Sequence, residues 1–179
     1  MDKDSLGQLI AISRAVGANL DNVQAGGGNT SVKSQDGRRM AIKASGTPLT
    51  AMSEAAGWVE LDTAGVLSIF DRGDLATLES SVREARVLQH LSSAVIGGAG
   101  RPSVESALHA MLGRVVIHTH PVAANALNCG PGLIALKEIT PAGELRRSGC
   151  PTPIPAGASP IPSRRRLRTT KRSTTAALM

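Results

Sequence analysis

Residues 30–33 and 39–43 each alternate along the chain, and the SQDG between them is a hairpin turn signal. This part of the chain is therefore committed to antiparallel pairing. GWVELD supplies a further strand at residues 58–61, and GRVVIHTH reads as a buried strand that Pro121 stops. Helical spacing surrounds these segments. Leu6, Ile10, Ser13 and Val16, with Leu9 and Ile12 alongside, make residues 4–17 an amphipathic helix, and residues 75–96 place Leu78, Val82, Ala85, Leu88 and Leu91 on one stripe. GGAGRP breaks that helix. Ser103, after Pro102, is an N-cap for a helix through SVESALHAML, and PVAANAL opens another. The pattern is that of an α/β protein without internal repeats.

A chain of 179 residues, 41% of them hydrophobic, holds one domain with a substantial core and is short for two. No apolar run approaches the length of a membrane span, and MDKDSLGQLI lacks the organisation of a signal peptide, so a cytoplasmic protein without a membrane partner is expected. Cys129 and Cys150 are too few for a disulfide framework and have no CxxC partner; both read as plain thiols. The net charge of +6 is unevenly placed. Residues 1–130 hold 11 Lys/Arg against 12 Asp/Glu, whereas residues 131–179 hold 9 against 2, together with seven of the ten prolines. The acid-free SRRRLRTTKRSTTAALM can bind nucleic acid non-specifically, but without the aromatic platforms of single-strand recognition a nucleic-acid function is not the expected one.

Candidate chemistry lies at the turns and strand ends. In a strand, residues i and i+2 share a face, so His118 and His120 have a spacing suited to one metal ion. A pair exposed at a strand end is the plain alternative. A catalytic zinc usually takes three protein ligands and keeps a fourth position open, which leaves a third ligand to be found. The glycines at 26–28, followed by Asn29, Thr30 and Ser31, let the backbone approach an anion and add side-chain donors, although three glycines also make an ordinary flexible turn. The run is neither a Walker A loop nor a dinucleotide fingerprint. ASGTP forms a second small polar turn containing Ser45 and Gly46. Glu105 falls in the first turn of its helix, where the dipole favours a carboxylate with or without a catalytic role. His109 follows one turn later on the same face and reads as a core residue, as does His90 in the long helix.

Taken in order, GGGNTSVK, KASGTPL, RPSVE and VVIHTHPVAANAL resemble four motifs of the class II aldolase/adducin family, over about residues 5–130. The resemblance implies a three-layer α/β/α domain around a mostly antiparallel mixed sheet, assembled as a homotetramer with sites between subunits. It also implies retro-aldol cleavage of a small phosphorylated sugar, a ketose phosphate. Zinc, or another divalent metal, would act as a Lewis acid on the substrate's hydroxy-ketone oxygens while a glutamate moves the proton. Carried over by residue, His118 and His120 become metal ligands and Glu105 the acid/base. Asn29, Ser45, Gly46 and Ser103 become the phosphate site. Val104 departs from the family, where many aldolases have a second serine.

The larger departure is the third zinc ligand, a downstream histidine in the family; no histidine follows His120. Glu105 could complete the set, with weaker binding. The reading is therefore a truncated aldolase-like domain over residues 1–135, incomplete at its C-terminus, and an aberrant, disordered Pro/Arg-rich tail over residues 136–179. CPTPIPA, read from the third base of its cysteine codon, permits Pro-Tyr-Ala-Asp-Pro-Gly, a family-like segment, which points to a frameshift between roughly residues 131 and 150. The expected protein is a zinc-dependent sugar-phosphate aldolase-like chain with impaired activity. The alternatives are a non-catalytic adducin-like interaction module and a nucleic-acid binder acting through the tail.

Overall fold

The computed structural model describes residues 1–128. Its elements are α1 (Lys3–Gly17), β1 (Asn29–Lys33), β2 (Arg39–Lys43), β3 (Trp58–Asp62), α2 (Thr63–Leu67), α3 (Ser80–Ser93), β4 (Val95–Gly98), α4 (Ser106–Met111), β5 (Val115–His118) and α5 (Val122–Asn128). The five strands form one sheet in the order β4-β3-β2-β1-β5, and every pairing among the described residues is antiparallel. The hairpin forms at the expected place. Gly37 takes φ +73° in the turn, and Asp36 accepts hydrogen bonds from Ser34 Oγ and the Arg38 N–H.

Alternation along the strands divides two cores. Met40, Ile42, Val59 and Leu61 face Val66 of α2, Leu91 of α3 and Ala110 of α4. On the opposite face, Val32 and Ala41 pack with Met52 and with Leu9 of α1. Helices thus cover both faces of the sheet, an α/β arrangement of the expected kind. Asp2 caps α1 by accepting the Ser5 N–H, and the helix buries Ser5, Leu9, Ser13 and Gly17 at four-residue intervals. Gly17 is needed by proximity: a Cβ there would lie 2.7 Å from Leu49 Cβ.

Three elements differ from the sequence reading. Residues 75–96 are not one helix: Gly73–Thr77 is a 3-10 turn that buries Leu75, α3 begins at Ser80, and Val95–Gly98 turns back as β4. Of the expected stripe, Leu91 is buried and Leu88 half-buried, whereas Val82 and Ala85 are exposed and α3 buries Arg83 as well. Helix α4 starts three residues after Ser103, so Glu105 occupies its N-cap instead of its first turn. Strand β5 ends at His118 and buries only Val116, because it is the sheet edge among the described residues. The expectations for Cys129, Cys150 and the tail at 136–179 lie outside the described residues. Among those described, no helix is long and apolar enough to cross a membrane.

Candidate functional site

Strand β1 begins where β2 and β5 end, so three chain turns meet at one end of the sheet. The register places Asn29 beside His118 and Ser31 beside Val116, all on the face that α4 covers. Lys33, next inward on that face, donates from Nζ to the carbonyls of His109 (2.8 Å), Leu112 (2.9 Å) and Gly113 (2.8 Å). This buried ammonium closes the C-terminal end of α4, where unsatisfied carbonyls and the helix dipole favour a cation. Burial pulls its pKa below the ordinary lysine value. His109 binds Ser31 Oγ through Nδ1 at 2.8 Å. Together these bonds fix the helix that carries Glu105.

Glu105 Oε2 accepts from Asn29 Nδ2 at 3.0 Å and lies 3.2 Å from His118 Nδ1. The opposite nitrogen of that ring, Nε2, stands 3.1 Å from His120 Nε2. His120 lies beyond the strand, yet its main chain is held by donation to the Asn22 carbonyl at 2.8 Å. The glycine-rich turn runs directly behind the pair. A Cβ at Gly27 would be 3.3 Å from His120 Nδ1, and Gly28, at φ +69°, would clash at 2.5 Å with Val23 Cγ1.

Two imidazole lone pairs do not face each other at 3.1 Å unless a proton or a cation lies between them. That separation also suits two nitrogens on one ion at about 2.0–2.1 Å each. With Glu105, one ligand atom from each residue can be chosen so that all lie within 4.8 Å of one another. The residues present therefore fit a divalent metal. All four histidines of the chain are accounted for: His90 binds the Gly65 carbonyl and Ser68, and His109 is buried behind His118. Among the described residues the cluster has two imidazoles and one carboxylate. Burial pushes the His109 pKa down to about 4, against the opposing pull of Glu105, so this ring is neutral near pH 7.

The other sequence-derived residues lie around this group. Ser103 Oγ accepts from the Glu105 N–H at 3.2 Å, and Ser45 donates its N–H to the Arg101 carbonyl at 2.9 Å. Ser45 and Gly46 are exposed, with Gly46 at φ +82°, and a Cβ on Gly26 would lie 3.8 Å from the Gly46 carbonyl. The three polar turns are thus neighbours. Asn29 is 1% exposed and its amide is engaged by Glu105, so here it orients the carboxylate. Sequence reasoning missed Lys33, and it offered Ser31 as an anion donor where the hydroxyl instead meets His109 Nδ1. A lysine at an inward position of a period-2 pattern, as Lys33 is opposite Met40, was the available signal.

The antiparallel sheet and the two helical layers make an α/β domain of aldolase type, with a Glu-His-His cluster at the strand ends that could hold a metal ion. The chain belongs to the class II aldolase and adducin N-terminal domain family, whose profile matches residues 7–159. It is similar in fold to the N-terminal class II aldolase domain of a conserved protein from Thermoplasma acidophilum, at 24% identity and a TM-score of 0.59, over 73% of this chain and 61% of that one. L-fuculose 1-phosphate aldolase is similar at 22% identity and a TM-score of 0.49, over 72% of this chain and 50% of that one. This chain spans about three-fifths and one-half of those two structures. No curated protein matches it.

Proposed function

We propose that the protein is an aldolase-like domain that binds a divalent metal, zinc first among candidates, and a small phosphorylated sugar at the end of its sheet. The observation that carries this reading is the convergence of Glu105, His118 and His120 beside three polar turns. His118, His120 and Glu105 would hold the metal, which when bound supplies Lewis acidity for retro-aldol cleavage. Glu105 would also carry the proton, a role supported by the hydrogen bond that its Oε2 accepts from Asn29 at 3.0 Å. Ser45, Gly46 and Ser103, with Asn29, would receive the substrate phosphate. Val104 is 66% exposed and adds no hydroxyl there.

Only two histidines reach the site, so metal affinity and turnover are reduced relative to a three-imidazole site, and a frame-shifted segment after residue 130 accounts for the missing one. The same observation favours the second reading, an adducin-like module that keeps the fold without the metal. Metal analysis separates the two. The purified chain should hold zinc that a His118→Ala/His120→Ala variant loses, and a frame-corrected chain should cleave ketose 1-phosphates faster. Equal zinc in both proteins would sink the metal reading. Equal turnover by the given and corrected chains would sink the frameshift. Tetramer formation by the corrected chain, with sites between subunits, belongs to the same proposal.

A further inference from the structure

Seven of the ten large apolar side chains that stay exposed among the described residues fall within residues 104–122. They gather where the sheet is open. Among the described residues β5 pairs with β1 alone, and the Lys33 N–H donates to the Arg114 carbonyl at 2.8 Å in the register that sets Ser31 against Val116 and Asn29 against His118. Hydrogen-bonded pairs alternate along an antiparallel ladder, so Val115 and Ile117 turn their N–H and C=O groups away from β1, towards the open edge. Their side chains are 44% and 50% exposed. On α4, Leu108 and, one turn on, Leu112 are exposed as well, and Leu112 precedes β5 by only three residues. A row of outward main-chain groups with apolar side chains around it is a surface that folded proteins cover.

The chain itself offers the occupant. The family profile matches residues 7–159, so the domain takes in residues beyond Asn128, the last that the structure describes. Of those, residues 133–139 (LIALKEI) hold four large aliphatic side chains and no proline, whereas residues 140–166 hold three such side chains and six prolines. The reach suffices. Helix α5 starts four residues after β5 ends and, at seven residues, is about 10 Å long. Residues 129–132 can span up to about 14 Å, enough to bring the chain back to the strand it has just left.

We propose that residues 133–139 dock on the open edge of β5, giving Val115 and Ile117 the main-chain partners that β1 does not supply and covering Leu108 and Leu112. The domain then runs at least to residue 139, and residues 136–139 belong to it rather than to the tail. Because β5 ends at His118, the docked segment also steadies the strand that presents a metal-ligand candidate. The inference depends on neither the metal nor the substrate.

The test is amide hydrogen exchange on the 15N-labelled full chain, followed residue by residue by NMR at two protein concentrations. The Val115 and Ile117 amides should exchange at least about a hundredfold more slowly than exposed amides, equally at both concentrations. A Leu133→Asp/Leu136→Asp variant should lose that protection, while the amides of β2, at the centre of the sheet, keep theirs and report a folded variant. The wild type also supplies a measurement that no variant can spoil: methyl NOEs should join Leu133 or Leu136 to Leu108 or Ile117. Free exchange at Val115 and Ile117 in the wild type, or the absence of those NOEs, overturns the proposal. Protection that the folded variant retains puts another segment on the edge and overturns it too. Protection that fades on dilution, with a matching fall in mass by light scattering, gives the edge to a second copy of the chain and overturns it likewise.

Discussion

His109 shows how one side chain couples the core to the site. It is fully buried, one turn after Glu105, with Ser31 on Nδ1 and its ring centroid 6.4 Å from that of His118. Its Nε2 has no hydrogen-bond partner among the described residues, so the neutral ring is favoured. The folded pKa of about 4 lies below the ordinary value of 6.5. The unfolded chain therefore binds a proton at this residue before the folded chain does. The stabilisation is complete above about pH 6.5 and is lost as the pH falls through about 4, by on the order of 3 kcal/mol. Urea unfolding at pH 7 and pH 4.5 should show this loss in the wild type and a clearly smaller loss in His109→Gln. Equal losses in both would mean that His109 is not the group responsible.

At the scale of elements, α4 is the part on which the site depends, and its anchor is Lys33. Replacing Lys33 with methionine keeps the apolar stem but leaves the His109, Leu112 and Gly113 carbonyls without their donor. A loss of roughly 2–4 kcal/mol is expected on urea unfolding, set by buried acceptors left unpaired. A loss below about 0.5 kcal/mol would show that the helix end is held by other means. The strands were legible because β1, β2 and β3 alternate and a turn sequence separates the first two. The ends of helices were less so. Residues 75–79 have helical spacing, yet burying Leu75 requires a tighter turn, and tertiary packing decided the matter over periodicity. The same holds for α4, where Ser103 still serves the Glu105 N–H but two turn residues intervene before the helix begins. Of the site, the metal-ligand candidates could be read from spacing and motif order. Lys33 was legible only as an inward position of a period-2 strand, and its closure against the α4 carbonyls is set by packing that the sequence does not display.

For the whole molecule the question is what the basic C-terminal stretch contributes. Six of the 20 Lys/Arg lie in residues 160–179, which contain no acid, so residues 1–159 hold 14 basic against 14 acidic residues. The entire excess charge therefore sits beyond the family match, which ends at residue 159. Non-specific duplex binding depends on phosphate neutralisation and falls steeply with salt, roughly in proportion to the number of contacts. A chain ending at residue 159 should therefore lose its low-salt affinity for random DNA by at least about tenfold, and the salt dependence should flatten. Its zinc content should match that of the full chain, since Glu105, His118 and His120 all lie far upstream. Unchanged DNA affinity would place the nucleic-acid contacts on the aldolase-type domain. Loss of zinc on truncation would instead show that the last twenty residues help to complete the metal site.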